Sequence, residues 1–230
     1  MQINDSSLVI SVLKSHHLGK LDVGTLLTYY PYVEETNDER KQWWQRNKTR
    51  GEYMNIYRVM YGEEFTEKQN KAILEEAKWR KWVDDVFVHT LAPNIYRNPR
   101  ETLQAMEYIM QPGYFTQWEA TAAYYVSSLI MYLLGKLLKH KHKLRSDERE
   151  SLYEEAVRWT HAVGKKSFLG GKEPNLADLN MYGVISAIEG LDAFQDLMDN
   201  TDIRPWYARM KKRVTSHSGT KDPDWLTLVE

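Results

Sequence analysis

The stretch that decides the fold reads Ala72-Ile-Leu-Glu-Glu-Ala-Lys-Trp79-Arg-Lys-Trp82-Val-Asp-Asp85-Val-Phe-Val-His89-Thr-Leu-Ala-Pro93. Trp79, Val83, Phe87 and Leu91 recur every fourth residue, and Trp82 with Val86 widens the stripe. That spacing predicts one helix with a broad apolar face. No glycine or proline interrupts it before Pro93, whose missing amide predicts the helix end there. The same face carries polar groups. Asp85 and His89 are four apart and so become helical neighbours, with Trp82 a turn earlier. A carboxylate beside an imidazole raises the histidine pKa and orients the ring. The pair reads either as a half-buried histidine satisfied within its own helix or as part of a working site.

Beyond Pro93 the punctuation is clear. Asn98-Pro99-Arg100-Glu101 offers an N-cap, a first-turn proline and an N3 carboxylate, and predicts a helix over residues 99–110. Thr116-Gln-Trp-Glu119 is a second capping box. It opens a helix whose uncharged run, residues 120–135, is shorter than the ~20 residues a membrane span needs. Being apolar on nearly all sides, that helix is expected at the buried centre of a bundle rather than across a membrane. It ends in Lys136-Leu-Leu-Lys-His-Lys-His-Lys-Leu-Arg145. Cations offset a helix C-terminus, and an acidic group of a ligand or membrane surface is the second reading. His140 and His142 lack a helical metal-ligand spacing, so no metal site is expected. Asp147-Glu-Arg-Glu150 caps a further helix closed by Gly164. Pro174-Asn175-Leu-Ala-Asp178-Leu179 is a capping box with a hydrophobic staple, and short helices follow around residues 192–198 and 205–213.

Upstream, Gln2-Ile3-Asn4 is a brief extended piece, and no other strand is evident. A strand needs a sheet, so this start reads as the end of a longer domain. Asp5-Ser6-Ser7 then caps an apolar helix whose N-terminus suits a carboxylate. A second helix is expected over residues 21–29, stopped by Pro31. Residues 31–69 mix charge with Trp43, Trp44, Tyr53, Tyr57 and Tyr61. The acidic residues there cancel the basic ones, so a linker-like insertion with a short helix near residues 54–60 is favoured over single-stranded nucleic-acid binding.

Composition narrows the class. With 230 residues, 42% hydrophobic and 27% charged, the chain can bury a real core. Its formal charge of −1 offers no basic field for nucleic acid. It has no cysteine, which excludes disulfides, thiolate metal sites and a cysteine nucleophile within these residues. The first residues lack the basic and apolar regions of a signal peptide.

The Gly-Gly-x-x-Pro-Asn-Leu-Ala-Asp-Leu segment ending at Leu179 is similar to the capping-box region of glutathione-transferase-like helical domains. A broader set resembles the membrane-associated prostaglandin E synthase type 2 family. It comprises Lys78 to Asp85, Val88-His89, Pro93 to Arg97, Tyr108-Ile109, Met131 to Leu133, Pro174 to Leu179, Glu189 to Met198 and Pro205 to Tyr207, with Gln2 to Ser7 matching as well. This resemblance implies a mainly α chain. It would comprise a truncated thioredoxin-like remnant (residues 1–30), a charged insertion (31–70), a glutathione-transferase-like helical domain (71–215) and a tail (216–230).

The resemblance further implies isomerisation of prostaglandin H2 to prostaglandin E2, with glutathione held by Asp5 and Ser6, and a homodimer. His89 matches a pocket histidine beside a possible haem and is the candidate base. Trp82, His89, Tyr96, Tyr125, Lys141 and Lys143 would line the haem or lipid pocket. Family members associate with Golgi or perinuclear membranes through an N-terminal anchor, and this chain without one is expected in the cytoplasm. Some positions depart from the family. Its Cys-x-x-Cys motif has no counterpart here, the serine three residues after His89 is Ala92, and propionate-binding arginines fall at Leu137 and Lys141, with a third basic position at Lys143. A lysine keeps charge but loses the bidentate fork. Two further readings are a non-catalytic scaffold that keeps the bundle and an ordinary glutathione transferase.

Overall fold

The computed structural model describes residues 5–34, 51–53, 57–60, 67–109 and 117–216, and among them the fold is mainly α. They fall into two compact units, the first reaching Lys78 and the second starting at Trp79.

In the first unit, α1 (Ser6–Gly19) begins at Asp5, whose carboxylate accepts from the Leu8 amide at 2.9 Å, as the cap reading expects. Lys20 closes the helix in the left-handed region (φ 55°), returning its amide to the His16 carbonyl. α2 (Val23–Leu27) is shorter than the residues 21–29 expected, because Asp22 caps it and residues 28–30 form a turn. Leu8, Val12, Leu26, Leu27 and Tyr30 make a small core. Tyr30 donates its hydroxyl to the Arg58 carbonyl at 2.8 Å, and the Ser15 hydroxyl accepts from the Met60 amide at 2.7 Å. These bonds hold residues 57–60, which are not helical, against α1 and α2. The short helix expected there does not form in the described part, where Tyr57 takes φ 55°. Strands β1 (Tyr32–Glu34) and β2 (Gly51–Tyr53) pair antiparallel, with Tyr32 opposite Tyr53. A three-residue strand is too short to show period-two alternation, so the sequence reading missed both. Most of the proposed insertion, and the N-terminal extended piece, lie outside the described residues.

The deciding stretch is helical throughout but not uniformly so. α3 (Glu67–Trp82) passes into a π-helical turn (Val83–Phe87) and then α4 (Val88–Ile95). The Val88 amide reaches back to the Val83 carbonyl, which makes the turn one residue wider than an α-helical one. Pro93 lies inside α4 and does not end it. It removes a single ladder bond, and the Tyr96 amide still closes on the Ala92 carbonyl at 3.0 Å. Val83, Phe87 and Leu91 do enter the core, joined by Leu152, Ala156, Trp159, Met181, Ile185 and Trp206 from later helices.

α5 (Pro99–Ile109) starts as expected. The Glu101 amide donates to Asn98 Oδ1 at 3.0 Å, and Asn98 Nδ2 donates to Glu101 Oε1 at 2.8 Å. α7 (Glu148–Val163), α8 (Leu176–Ser186), α9 (Asp192–Asn200) and α10 (Arg204–Thr215) complete the second unit. The capping box at Asn175 and Asp178 forms in full. A charged knot ties α4, α5, α7 and α9 together. Arg149, buried on α7, donates to Glu101 Oε2 and Asp196 Oδ2, both at 2.8 Å, and to the Asn94 carbonyl and side-chain oxygens.

One expectation fails. α6 (Gln117–Lys141) is no buried central helix. It packs on one side only, along α4 and α5, and turns an apolar side outward, with Leu129 61% and Leu137 65% exposed. Among the described residues it is one helix long and apolar enough to cross a membrane, by length and composition, with a mean hydropathy of 1.3 over its best window. The opening Thr116 of its proposed capping box lies outside the described residues.

Candidate functional site

The π turn places His89 one residue into α4, exposed at the surface beside the C-terminal end of α6. There the imidazole of His89 stacks on that of His142, centroids 4.2 Å apart and planes 12° off parallel. His142 sits in the turn just after α6. Burial first, then the neighbouring His89 and the Lys141 ammonium, hold His142 below the ordinary histidine range. At neutral pH it is therefore a neutral ring, able to accept at one nitrogen and donate at the other.

The Asp85–His89 neighbourhood expected from spacing is not what organises this histidine. The Asp85 carboxylate is exposed and paired with Lys81, while Asp84 accepts from Asn180 Nδ2 at 3.0 Å. A π turn adds a residue between positions that would face each other in an α-helix, so i,i+4 arithmetic does not carry across residues 83–87.

The remaining site candidates have separate surroundings. Trp82 lies among aromatic rings: edge-on to Trp79 at 5.0 Å, stacked with Trp159 at 6.3 Å and 5.9 Å from Phe87. Its indole nitrogen lies beside Glu155 without closing a hydrogen bond of good geometry, and the buried Trp159 indole also lacks a partner among the described residues. Burial pushes the Glu155 carboxyl upward, against the pull of Arg158. Tyr96 is buried at the end of α4, under Gly135 of α6, and burial pushes its hydroxyl upward. Tyr125 is on the outward side of α6, 61% exposed and edge-on to Tyr124. Lys141 and Lys143 are exposed at the C-terminal end of α6, Lys143 with φ 53°. Asp5 and Ser6 belong to the first unit, at the start of α1. No group of three or more potential metal ligands occurs among the described residues.

His142 is the residue that spacing could not supply. It lies 53 positions from its stacking partner, and the sequence reading named it only with His140, as a rejected metal spacing.

These observations define a mainly α protein with a long helical stretch interrupted by a π turn, a capped α8 locked by a buried aspartate and a histidine pair beside α6. No protein-family model matches the sequence. The chain is 43% identical over 217 residues to prostaglandin E synthase 2 of Mus musculus, covering 93% of this chain and 55% of the relative. It is 40% identical over 222 residues to prostaglandin E synthase 2 of Danio rerio, covering 94% of this chain and 57% of that relative. Over nearly its whole length the chain is similar to the prostaglandin E synthase 2 family. It spans a little over half the length of these curated relatives.

Proposed function

We propose that this chain is the helical part of an isomerase that converts the endoperoxide prostaglandin H2 to prostaglandin E2. The observation that carries the reading is the 43% identity maintained across 93% of the chain. The reaction breaks the peroxide O–O bond, removes the proton on the carbon bearing one of those oxygens and protonates the other oxygen, leaving a ketone and a hydroxyl. It therefore needs a positioned base. His89 is the group assigned to that work, with the stacked His142 fixing its ring.

Glutathione fits the start of α1. The first-turn amides around Ser6 and Ser7 suit a carboxylate, and Asp5 offers an anion to the glutamyl amine. When bound, glutathione would supply the thiol that this cysteine-free sequence lacks. Haem does not fit the residues present. Leu137 and Ala92 bring no donor, and Lys141 and Lys143 lack the guanidinium fork.

The test is prostaglandin H2 turnover in the complete native protein with and without His89→Ala. The expected loss is roughly 10²-fold or more. An unchanged rate removes His89 from the chemistry. The altered propionate-partner positions Leu137 and Lys141 favour a second reading, a non-catalytic binding protein on the same scaffold. Calorimetry with glutathione separates the two, since millimolar or tighter affinity supports the isomerase and no binding supports the scaffold.

A further inference from the structure

Charge on the second unit is unevenly shared. Residues 164–173 and α10 together carry eight lysines and arginines against one carboxylate, Glu173, on a chain whose formal charge is −1. The two sides of α10 differ. Arg204 and Lys211 lie on one side, where Asp199 and Glu189 neutralise them. Arg209, Lys212 and Arg213, spaced i, i+3 and i+4, share the other side. There α10 meets the chain that follows α7. Arg209 Nε donates to the Ser167 carbonyl at 3.0 Å, Arg213 pairs with Glu173, and Lys166 Nζ donates to the Leu169 carbonyl at 2.8 Å. Lys165, Lys172 and Lys212 are exposed and have no ion pair among the described residues.

The patch rests on fixed backbone. Gly164 stops α7 with φ 59°. Phe168 and Gly171 then exchange amide–carbonyl bonds in both directions at 3.0 Å. The buried Asp178 carboxylate holds the Leu169 and Gly170 amides and the Trp206 indole of α10, which ties this loop to the helix. Six cations therefore spring from backbone that is held without a partner, so a partner meets a preformed surface.

We infer that this patch is a docking surface for an acidic segment of a partner protein, an extended run of aspartate and glutamate side chains. It goes beyond the isomerase reading and does not depend on it. Three observations select that occupant. Crowded like charges repel unless an anion lies among them, and the single Glu173 does not balance six cations. Both arginines are committed, one to a carbonyl and one to Glu173, and the cations without an ion pair are lysines. Lysine is a point charge without the fork that grips a phosphate in two bonds, so carboxylates suit the patch better than phosphates. Geometry agrees. Arg209 and Arg213 are about 6 Å apart along α10, close to the ~7 Å between alternate side chains of an extended peptide. Neither segment carries an exposed aromatic ring among the described residues, so nucleic-acid bases have nothing to stack on.

Fluorescence anisotropy of a labelled peptide of about eight glutamates, titrated with the intact chain, tests this. Binding is expected in the micromolar range at about 20 mM salt. It should weaken ~10-fold or more at about 300 mM, where the screening length falls from roughly 20 Å to roughly 6 Å. Lys165→Glu combined with Lys212→Glu should weaken binding ~10-fold or more at the lower salt, with unchanged far-UV circular dichroism because both side chains are exposed. The same change of charge at Lys141 and Lys143, the exposed basic cluster after α6, should leave it within ~2-fold. A carbodiimide, which joins a carboxylate to an amine in contact with it, gives a reading without any substitution. Peptide mapping should find the joined glutamates on Lys165, Lys172 and Lys212. The inference is overturned by no binding at the lower salt, by a loss from the Lys141 and Lys143 changes as large as from the first pair, or by links spread evenly over the lysines. Phosphatidylcholine–phosphatidylserine vesicles or a short DNA duplex that displace the peptide at a lower concentration of charge overturn it in favour of a membrane or a nucleic acid.

Discussion

Replacing Asp178 by alanine should be among the most destabilising single changes in the second unit, because four donors converge on a carboxylate with no exposure. Oδ1 accepts from the Leu169 amide at 2.9 Å and from the Trp206 indole at 3.0 Å. Oδ2 accepts from the Gly170 and Asn175 amides, both at 3.0 Å. A hydrogen bond to a charged partner contributes ~1.5–3 kcal/mol, and a buried donor left without one costs ~1–3 kcal/mol. The four share one acceptor, so their sum is not additive, and ~5 kcal/mol is the expected cost of Asp178→Ala.

Asp178→Asn keeps an oxygen for one pair of donors and turns an NH2 on the other pair, for ~3 kcal/mol. Asn175→Ala removes only the cap to the Ala177 and Asp178 amides, at 3.0 and 3.1 Å, for ~1 kcal/mol. The assay is urea unfolding followed by far-UV circular dichroism, read as the shift in midpoint at constant slope. The order alanine, asparagine, then the Asn175 change is the signature. An Asp178→Ala variant no less stable than Asn175→Ala would refute the hub and reduce Asp178 to an ordinary capping-box residue.

Arg149→Lys should cost ~3 kcal/mol in the same assay, since lysine cannot serve Glu101, Asp196 and Asn94 together and leaves buried acceptors short. Gly135→Ala should destabilise by ~1–3 kcal/mol despite alanine's better helix propensity, because an added Cβ would lie 2.9 Å from Tyr96 Cβ and 3.2 Å from the Tyr96 carbonyl oxygen. Burial alone would raise the Glu148 carboxyl, but its own backbone amide with Lys139 and Lys136 holds it below its ordinary 4.5. A depressed carboxyl adds stability above its unfolded pKa and loses it as pH falls through the folded value. Glu148→Gln should therefore flatten the acid limb of the stability profile below about pH 4.5, and an unaltered limb would refute the pairing.

Cap chemistry made most of the helices legible. Asp5, Asn98, Asp147 and Asn175 each announce a helix start through an oxygen placed to accept a first-turn amide, and each does so in the structure. Breaks were harder to read. Pro93 is a strong stop signal that fails because one missing amide costs one bond, and the ladder resumes with Tyr96 on Ala92. The π turn has no composition of its own, so Asp85 and His89 kept their i,i+4 spacing in sequence and lost it as neighbours. The site followed the same rule. His89 was visible as a lone imidazole on an aromatic face, but its partner His142 comes from another helix end, which no local period can indicate.

α6 shows why apolar content alone misplaced a helix. Its outward stripe is greasier than its packed side, so counting hydrophobic residues points the wrong face inward. The packed side is marked instead by small and hydrogen-bonding residues. Ser128 and Gly135 lie seven apart, two turns along the helix, with Met131 between them against the core. Gly135 admits the backbone of Tyr96 at a distance that no side chain would allow. Tyr124 reaches the Leu103 carbonyl of α5 at 3.0 Å, and Lys136 reaches the chain at Arg97. A row of small residues selects the side where another helix can come close, because approach distance and hydrogen bonds are gained there. The larger apolar side chains are then left on the opposite face, where they need a cover that the chain's own fold does not supply among the described residues. In this helix, smallness at a seven-residue spacing locates the intramolecular contact, and surplus hydrophobicity marks the face left uncovered among the described residues.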